Sequence, residues 1–549
     1  MPTIKLNKKV FEDLVGKRLP LDKLKDRISM LGTDLEGIEG NEITVEVFPN
    51  RPDMLSEQGF ARAFSSFIGV KTGLRKYKVE KSGQKIIIDS SVKNIRPFTA
   101  CSIVKGIHFD DEKIKEIIQI QEKLHITFGR NRKKVAIGIY PLEKISFPVT
   151  FFAEDPGKVK FQPLEYPKEL TGIQILSMHP TGREYAHLLD GFKKFPFFKD
   201  SRNKILSMPP VINSHDVGKI TETTKDVFIE CSGFDFYYLN KCLNIIVTAL
   251  SDMGGKIYSL ELDYGSKKET TPNLEPVEWS VNPGYLNKRL GLGLKESEMK
   301  NLLARMGHEY KNGMVLVPAY RADIMHQVDF VEELAIAYGY ENFEAEIPMI
   351  STIGQEDKFE IFKKKLSEML VGLNLLETET YNLTNVEIQS NKMSVNLELI
   401  ELKNAVNINY NCLRYWIIPS LMEIFYNNLN KEYPQNIFGI GRTFKKGDTE
   451  TGIMEQDKLS VALCNENADF TSIKQVLDYI MRMLDMKYEI EPIEHSSFIP
   501  GRIGEIIINK KSLGIIGEIH PKVLDNFNIN MPVSSLELNI TELFEVSRK

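Results

Sequence analysis

The sequence predicts a multidomain protein of the α+β class. At about 100 to 200 residues per domain, a chain of 549 residues should contain about three to five domains. Apolar residues make up 42% and charged residues 26%, which is the composition of ordinary globular protein. Strand-like and helix-like runs are mixed, and no internal repeat at solenoid periods is visible. The chain should therefore be a string of unlike α+β domains.

Three polar stretches look like joints between these domains. Each is rich in Gly, Pro, Ser or charge between more apolar flanks, and they are 77–85, 264–276 and 346–358. They predict four domains: an N-terminal α+β domain at 1–80, a second α+β domain at 81–265, a small winged-helix-like domain at 270–345, and an antiparallel sheet with helices at 350–549.

The first two domains mix strands and helices. "NEITVEVFP" alternates as a strand toward a turn at "NRPD", where Asn50 and Asp53 should bond the backbone. "LSEQGFARAFSSFIG" then has helical periodicity behind a Ser56 cap. The second domain contains the strand-like runs "KKVAIGIY" and "DVFIECSGF". The helix-like "NKCLNIIVTALSDMGG" should stop at its glycine pair.

The last two domains have clearer helices. "SEMKNLLARMGHEY", the short strand "MVLVPAY" and a second, acidic helix give the content of a small winged module. The final domain opens with the helix "KFEIFKKKLSEMLVGLN". It later supplies the strand-like runs "QNIFGIG", "EIIINKKSLGIIG" and "SSLELNI", which predict helices packed on an antiparallel sheet.

Several functional classes are disfavoured by composition. No apolar run approaches the roughly 18 residues of a membrane span, and the charged N-terminus is unlike a signal peptide. The 5 cysteines include no CxxC pair, so neither a disulfide framework nor a thiolate zinc site is encoded, and a reducing cytosol fits. A net charge of -5 argues against a general nucleic-acid coat. The local basic patch "GRNRKK" could still contact phosphate, although a solvated turn is the simpler interpretation.

The segment "RADIMHQVDFVEEL" concentrates four carboxylates within residues 321–334. Asp329, Glu332 and Glu333 recur at helical spacing and should share one stripe. The apolar residues Val328, Val331, Ala335 and Tyr338 should lie on a different face. Like charges at this spacing repel, so a cation or a basic partner would relieve the repulsion. A solvated acidic face is the simpler alternative.

Four separated motifs carry a family resemblance. They occur in the expected order: "VFPNRPDMLSEQGFARA", "ILSMPPVINS", "VPAYRADIMHQVDFVEELAIAYGY" and "IIGEIHPKVLDNF". Together they resemble the β subunit of phenylalanyl-tRNA synthetase over nearly the whole chain, in its archaeal and eukaryotic-cytosolic form. The resemblance implies a cytoplasmic subunit of an α2β2 enzyme that uses ATP and Mg2+ to esterify phenylalanine to its tRNA. It also implies that the α subunit carries the synthetic site.

The last domain lacks the ATP-binding residues of a class II synthetase. Such a site needs an Arg-x-Glu motif and a glycine-rich motif ending in arginine, because cationic side chains must hold ATP. Here Arg414 is followed by Tyr-Trp without a glutamate, and Gly501 and Arg502 stand alone. We therefore predict a degenerate, inactive class II synthetase-like fold that serves as scaffold and as interface with the α subunit.

The second domain resembles the family's editing domain, which hydrolyses tyrosine wrongly attached to the phenylalanine tRNA. The resemblance assigns its pocket to Phe198, Ser207, Glu230 and Ser232. The family's archaeal pocket has aspartate and threonine at the last two places, so glutamate and serine here change the reach of the side chains. No Ser-His-Asp or metal-ligand pattern lies nearby. Hydrolysis should therefore rely on a positioned water and on the terminal hydroxyl groups of the tRNA.

The resemblance also assigns Mg2+ to the acidic segment, at the boundary with the α subunit. Its ligands would be Asp323, Asp329, Glu332 and Glu333. Two alternatives are a nucleic-acid-binding scaffold without activity, built on the winged module and the basic patch, and a metal-dependent hydrolase centred on the acidic helix. The second is weakened because only His326 could help to activate a nucleophile there.

Overall fold

The computed structural model describes residues 2–547 of the chain. The structure divides into two compact units, with the boundary between Ile347 and Pro348. This boundary lies within the polar stretch 346–358. None of the helices in the described part of the chain has the length and apolar character needed to cross a membrane.

The first unit begins with a small α+β module. Its elements are β1 (Thr3–Asn7), α1 (Lys8–Val15), α2 (Leu21–Met30), β2 (Asp34–Glu39), β3 (Glu42–Glu46) and α3 (Glu57–Phe67). The antiparallel sheet has the order β1-β3-β2. The predicted cap is confirmed, since Ser56 Oγ accepts the Gly59 N–H at 3.0 Å. The turn differs from the prediction: Asp53 binds the Arg51 guanidinium through two hydrogen bonds of 2.9 Å, because the buried arginine needs a counter-charge.

The second module of this unit is built on a ten-stranded sheet. Its elements are β4 (Val79–Ile88), β5 (Phe98–Lys105), α4 (Asp111–Ile126), β6 (Val135–Pro141), β7 (Val149–Glu154), β8 (Lys160–Phe161), β9 (Leu170–Thr171), α5 (Gly172–Met178), α6 (Pro180–Tyr185), β10 (Phe195–Lys199), β11 (Ile205–Met208), β12 (Ile212–Asn213), β13 (Val227–Gly233), α7 (Phe236–Asp252), β14 (Lys256–Asp263) and β15 (Lys268–Thr271). The order is β12-β11-β10-β7-β4-β14-β5-β13-β6, with β15 on β14; β8 and β9 pair separately.

Two of the stretches predicted as joints contain strands of this sheet. Residues Val79–Ile88 form β4, which pairs in parallel with both β14 and β7, so 77–85 is not a linker and the predicted boundary at 80/81 falls inside a strand. The polar first half of β4 resembles a linker in sequence, whereas its apolar second half is buried in the sheet. The stretch 264–276 likewise contains β15.

The strand β6 is an edge strand, so one side of its backbone has no neighbouring strand in this sheet. Side chains of α4 form hydrogen bonds with this side of the backbone. Gln121 Nε2 donates to the Ile137 carbonyl at 2.9 Å, and the Ile137 N–H donates to His125 Nε2 at 2.8 Å. An unpaired edge would otherwise be open to water or to another strand. His125 therefore has a structural contact, as expected for a lone histidine beside a strand.

The third module of the first unit is small. Its elements are β16 (Val277–Ser280), α8 (Pro283–Leu290), α9 (Glu296–Arg305), β17 (Glu309–Lys311), β18 (Met314–Val317) and α10 (Asp329–Tyr338). The antiparallel sheet has the order β16-β18-β17, and the three helices enclose a core that includes Leu286, Leu303 and Phe330. The predicted helix, strand and helix are confirmed.

The second unit is an antiparallel sheet covered by helices, as predicted. Its elements are α11 (Lys358–Gly372), β19 (Leu376–Glu377), β20 (Leu383–Thr384), β21 (Cys412–Leu413), α12 (Ile418–Asn427), β22 (Gln435–Lys446), β23 (Ile453–Cys464), α13 (Phe470–Met483), β24 (Glu489–Pro492), β25 (Phe498–Ile508), β26 (Lys511–Ile519), α14 (Pro521–Asn526), β27 (Val533–Asn539) and α15 (Ile540–Ser547). The order is β19-β22-β23-β27-β26-β25-β24, with only β19 parallel to its neighbour. Along β23, Val461 and Ala462 belong to separate cores, because alternate side chains face opposite sides of a sheet.

Candidate functional site

A cavity of about 400 Å³ lies beside the edge strand β6. Its walls come from α4, β6, the segment after β11, and the centre of β13. About half of the wall residues are apolar, including Ile114, Ile117, Ile137, Ile139, Pro209 and Val211. Most of the others are polar or charged, and a cavity that combines apolar walls with convergent polar groups is typical of a small-molecule pocket.

Glu230 reaches the cavity from the centre of β13. Only 2% of the residue is exposed. It lies opposite Gly138 of β6 in the sheet register, and the missing side chain at Gly138 makes room for its carboxylate. A Cβ at Gly138 would lie 2.6 Å from Glu230 Oε1 and closer still to the Tyr140 hydroxyl. The glycine is therefore required by the close approach of these two polar groups.

The Glu230 carboxyl is only partly hydrogen-bonded. The Tyr140 hydroxyl lies 3.1 Å from Glu230 Oε1 and 3.2 Å from Asn213 Oδ1, and its one proton can serve one acceptor at a time. Glu230 Oε2 has no partner among residues 2–547. Burial raises the pKa of Glu230 from 4.5 to about 8, although Tyr140 and Arg96 oppose the shift. The group is therefore mostly a neutral acid at pH 7.

Two of the four predicted pocket residues line this cavity, namely Ser207 and Glu230. Phe198 pairs opposite Ser207 in the register, but its ring is fully buried and stacks on Phe151 at 4.3 Å. Ser232 lies outside the lining, where its Oγ accepts a hydrogen bond from Arg96 Nε at 3.1 Å. Phe198 and Ser232 therefore support the cavity wall from outside the lining.

Sequence reasoning missed Tyr140, Gly138 and Asn213. The first two lie in the strand-like run "KKVAIGIY", two residues apart and hence on one face. This alternation could have marked them as neighbours. The strand pairing that sets them against Glu230 joins residues 90 positions apart in the chain, and the sequence does not reveal that register.

Each of the two histidines in the cavity wall has one ring nitrogen in a hydrogen bond with the backbone. His125 Nε2 accepts the Ile137 N–H, so its proton resides on Nδ1, which faces Glu122 at 3.4 Å. His179 Nε2 lies 3.1 Å from the Leu164 carbonyl and must donate to it, while its Nδ1 is buried. Neither ring offers a solvent-accessible base to a water in the cavity.

The basic side chains of the patch "GRNRKK" do not all face the solvent. Arg130 and Lys133 are exposed, as a solvated turn predicts. Arg132 instead turns inward and lines the cavity, where it donates to the Val211 carbonyl at 2.9 Å and to Glu122 at 3.2 Å. Arg132 therefore adds a cationic side chain to the cavity lining, where Glu122 of the same lining pairs with it.

The acidic segment differs from its predicted arrangement. Arg321 is buried and donates to Asp323 at 2.8 and 2.6 Å and to Glu333 at 2.7 and 3.2 Å. His308 Nε2 lies 2.9 Å from the same Glu333. Burial alone would raise the pKa of Glu333, but Arg321 and His308 hold it well below its ordinary value. Two of the four carboxylates are thus neutralised within this chain.

The other two carboxylates lie toward the surface of the module. Asp329 accepts the N–H groups of Met325 and His326 at 2.7 and 2.8 Å, and Glu332 accepts from the Tyr340 hydroxyl at 2.8 Å. The prediction that Glu333 shares an acidic stripe with these residues is wrong, because the buried Arg321 draws it into the core. Val328, predicted on the apolar face, is exposed.

A Mg2+ shell made of all four carboxylates does not fit this arrangement. Within residues 2–547, no group of three or more His, Cys, Asp or Glu side chains is placed to hold a metal ion. Asp323 and Glu333 already have a cationic partner in Arg321. Only Asp329 and Glu332 remain available to a cation that approaches from outside the module.

The arginines at the positions of the degraded ATP motifs have internal partners. Arg414 is buried and donates to the Arg442 carbonyl at 2.8 Å and to Asn382 Oδ1 at 3.1 Å. Arg502 is exposed and pairs with Glu518 at 2.6 Å. Arg414 is thus engaged by buried internal partners, whereas Arg502 forms an ion pair at the surface.

Comparisons with known proteins give a consistent result. Residues 279–340 match the tRNA synthetase B5 domain, and residues 344–540 match the phenylalanyl tRNA synthetase beta chain CLM domain. The phenylalanine–tRNA ligase beta subunit of Pyrococcus horikoshii is 40% identical over 99% of this chain and 100% of its own length. That of Archaeoglobus fulgidus is 36% identical over 99% of both chains. The crystal structure of an N-terminal fragment of the Pyrococcus horikoshii phenylalanyl-tRNA synthetase beta-subunit covers 61% of this chain and 99% of the fragment, with 38% identity and a TM-score of 0.59.

Proposed function

Because the chain belongs to the beta subunits of phenylalanine–tRNA ligase, we propose that its second module hydrolyses tyrosine esterified to the phenylalanine tRNA. The need for such a second, hydrolytic site has a general physical reason. An apolar pocket shaped for phenylalanine cannot strongly reject an analogue that adds only a hydroxyl group, so a second site must recognise that hydroxyl. The observation that carries the proposal is the Glu230 carboxyl at the cavity wall, with Oε2 unpartnered among residues 2–547.

A neutral carboxyl is a suitable partner for a phenol. The hydroxyl of tyrosine both donates and accepts, and the protonated Glu230 can do the same. Phenylalanine in the same position would leave Glu230 Oε2 without a partner, at a cost of about 1 to 3 kcal/mol. This difference supports selection of tyrosine over phenylalanine, with Ser207 beside the same cavity as a second polar contact.

Hydrolysis would proceed by attack of a water oxygen on the ester carbonyl carbon. The bond from that carbon to the ribose oxygen of the tRNA breaks, and the proton lost by the water ends on the ribose oxygen. His125 has no free lone pair, because its Nε2 accepts the Ile137 N–H and its Nδ1 carries the proton, and the lone pair of His179 Nδ1 is buried away from solvent. We therefore assign the proton transfer to the neighbouring ribose hydroxyl of the tRNA, while the chain orients the tyrosyl group.

The rest of the chain is proposed to support the α subunit in an α2β2 complex in the cytosol. We infer a degenerate class II synthetase-like fold for the second unit, which is an antiparallel sheet covered by helices and in which Arg414 is committed to internal partners. This supports a scaffold and interface role, with ATP and phenylalanine bound by α. The Mg2+ implied by the family is proposed at the boundary with α, with Asp329 and Glu332 as its direct or water-mediated contacts, since Mg2+ needs only one or two carboxylates.

The test is hydrolysis of Tyr-tRNA by the α2β2 complex. Glu230→Ala should lower the rate about 10- to 100-fold, because the tyrosine hydroxyl loses its buried partner, and should leave phenylalanine charging unchanged. Glu230→Gln should retain most activity near pH 7, because an amide imitates a neutral carboxyl. Glu143→Ala, an exposed glutamate of the same module, is the matched control. Equal rates for Glu230→Ala and the parent would remove Glu230 from the proposal.

A further inference from the structure

One end of the ten-stranded sheet carries a cluster of aromatic and basic residues that the proposed hydrolysis does not use. We call it the aromatic edge; it consists of Phe98, Phe234, Phe236, Tyr237, Tyr238 and Tyr264, together with Lys134 and Lys267. The residues meet because β5, β13 and β6 end at the same level: Gly233 pairs with Phe98 on one side and with Val135 on the other.

Two rings of the aromatic edge face the solvent. Phe234 is 51% exposed and Tyr237 is 57% exposed. Phe234 lies 5.5 Å from the buried Arg96 guanidinium, and Tyr237 lies 5.6 Å from the Tyr238 ring, so each is supported from beneath. Single exposed apolar residues are common, but two supported rings within four positions form a surface that could stack against another planar group.

The aromatic edge is also positively charged. Lys134 Nζ lies 3.0 Å from the centre of the Tyr238 ring, and Lys267 Nζ lies 5.4 Å from that of Tyr264. Within residues 2–547, no carboxylate forms an ion pair with Lys134 or with Arg130 and Lys133 of the same turn. Two carboxylates lie beside this surface: Glu269 pairs with Lys267 at 3.3 Å, and Asp235 caps α7 by accepting the Tyr237 N–H at 2.9 Å.

The aromatic edge is continuous with the cavity. Along β13, Phe234 follows Glu230 by four residues, a path of about 13 Å at 3.3 Å per strand residue. Arg96 lies between the two, since it underlies Phe234 and donates to the carbonyl of Arg132, which lines the cavity. The turn that carries Lys134 also carries Arg132, which lines the cavity.

We propose that the aromatic edge binds single-stranded RNA, namely the 3′ segment of the tRNA whose terminal ester enters the cavity. The proposal rests on the function proposed above. Exposed rings stack on bases of any sequence, and unpaired lysine and arginine side chains attract the phosphates between them. A short strand that leaves the cavity past Arg132 would meet Phe234 and Tyr237 next.

Direct binding tests this proposal independently of hydrolysis. The α2β2 complex is titrated into a fluorescein-labelled RNA tetranucleotide, and anisotropy is measured. The double variant Phe234→Ser, Tyr237→Ser should weaken binding at least tenfold, whereas Phe234→Tyr, Tyr237→Phe should bind like the parent because both rings remain. The double variant Arg130→Gln, Lys133→Gln should reduce the slope of log affinity against log salt by about one for each phosphate that the variant no longer neutralises.

Kinetics provide the second readout. The serine variant should raise KM for Tyr-tRNA at least tenfold with little change in kcat, and should hydrolyse tyrosine esterified to adenosine, which has no further nucleotides, at the parent rate. Equal tetranucleotide binding by the parent and the serine variant overturns the proposal and leaves the surface to a protein partner. If the parent complex fails to hydrolyse Tyr-tRNA but binds the tetranucleotide through these rings, the editing function fails and the RNA surface stands.

Discussion

At the scale of single residues, the candidate pocket depends on the absence of a side chain at Gly138. We expect Gly138→Ala to push Glu230 and Tyr140 apart, because the new Cβ would lie 2.6 Å from Glu230 Oε1. Overpacking of this kind costs about 1 to 3 kcal/mol of stability, and a misplaced recognition group lowers rate on the order of 10- to 100-fold. The measurements are Tyr-tRNA hydrolysis by the complex and the thermal midpoint.

The control is a glycine without neighbours. Gly293 has open space around its Cβ position and a backbone that other residues adopt, so Gly293→Ala should change neither quantity. Phenylalanine charging should be unaffected in both variants. Parent-like hydrolysis by Gly138→Ala would contradict the geometry proposed for Glu230.

A pH dependence of stability follows from the raised pKa of Glu230. The unfolded chain releases this proton near pH 4.5, whereas the folded chain keeps it to about pH 8. Because the folded state binds more protons in this window, its stability should fall as pH rises from about 4.5 to 8, by an amount on the order of a few kcal/mol. The stabilisation from the neutral acid is complete below pH 4.5.

The measurement compares the thermal midpoint of the parent with that of Glu230→Gln between pH 5 and 9. Glutamine does not titrate, so the difference between the two proteins isolates this group from other carboxyls. The parent should lose stability relative to the variant as pH rises. A constant difference across the range would mean that Glu230 is ionised in the folded protein.

The residues of the pocket show how far sequence reasoning extends at this scale. Ser207 and Glu230 came from a motif resemblance, and alternation along the strand put Glu230 and Ser232 on one face. The structure keeps both residues two positions apart in β13, but only Glu230 lines the cavity, and Ser232 Oγ accepts a hydrogen bond from Arg96 Nε instead. Tyr140 and Gly138 depend on the register between β6 and β13, which long-range pairing sets and local sequence does not encode.

At the scale of elements, hydrophobic periodicity located most helices but misassigned the faces of α10. The apolar spacing favoured Val328 as a buried residue, whereas Phe330, Glu333 and Leu334 face the core. The cause is a buried arginine, which binds Glu333 with two hydrogen bonds and makes a charged residue part of the interior. Period-based reasoning counts carboxylates as surface residues and so cannot anticipate such a pair.

The same element gives a prediction about magnesium. The double variant Asp329→Asn, Glu332→Gln should reduce the stabilisation of the α2β2 complex by Mg2+, because these are the two carboxylates not neutralised by Arg321. A small loss of stability without Mg2+, about 1 kcal/mol, is expected because Asp329 also accepts two backbone N–H groups.

The measurement is the thermal midpoint of the complex with and without added Mg2+, and Tyr-tRNA hydrolysis should be largely intact. Glu360→Gln, an exposed change on α11, serves as the control. An unchanged response to Mg2+ in the double variant would make the outer side of α10 an ordinary solvated acidic face.

At the scale of the first unit, buried charges connect its three modules. Arg51 pairs with Asp53, Arg62 with the partly exposed Asp252, and Arg321 with both Asp323 and Glu333. The buried Lys241 donates to backbone carbonyls of the third module. Arg62 pairs with Asp252 at 2.7 Å across two modules, and Lys241 Nζ donates to the Arg321 carbonyl at 2.8 Å. Removing one member would leave an uncompensated buried charge, so the network specifies how the modules of this unit pack together.

At the scale of the whole chain, the last prediction concerns synthesis. Expressed without the α subunit, the chain should neither form phenylalanyl-adenylate nor charge tRNA, because Arg414 is held by the Arg442 carbonyl and Asn382 and Arg502 by Glu518. Catalysis of adenylate formation needs cationic groups free to hold ATP. ATP–pyrophosphate exchange and tRNA charging are measured before and after addition of α, in a preparation shown to be free of host synthetase. Activity should appear only with α, and exchange by the chain alone would show that the second unit retains an ATP site.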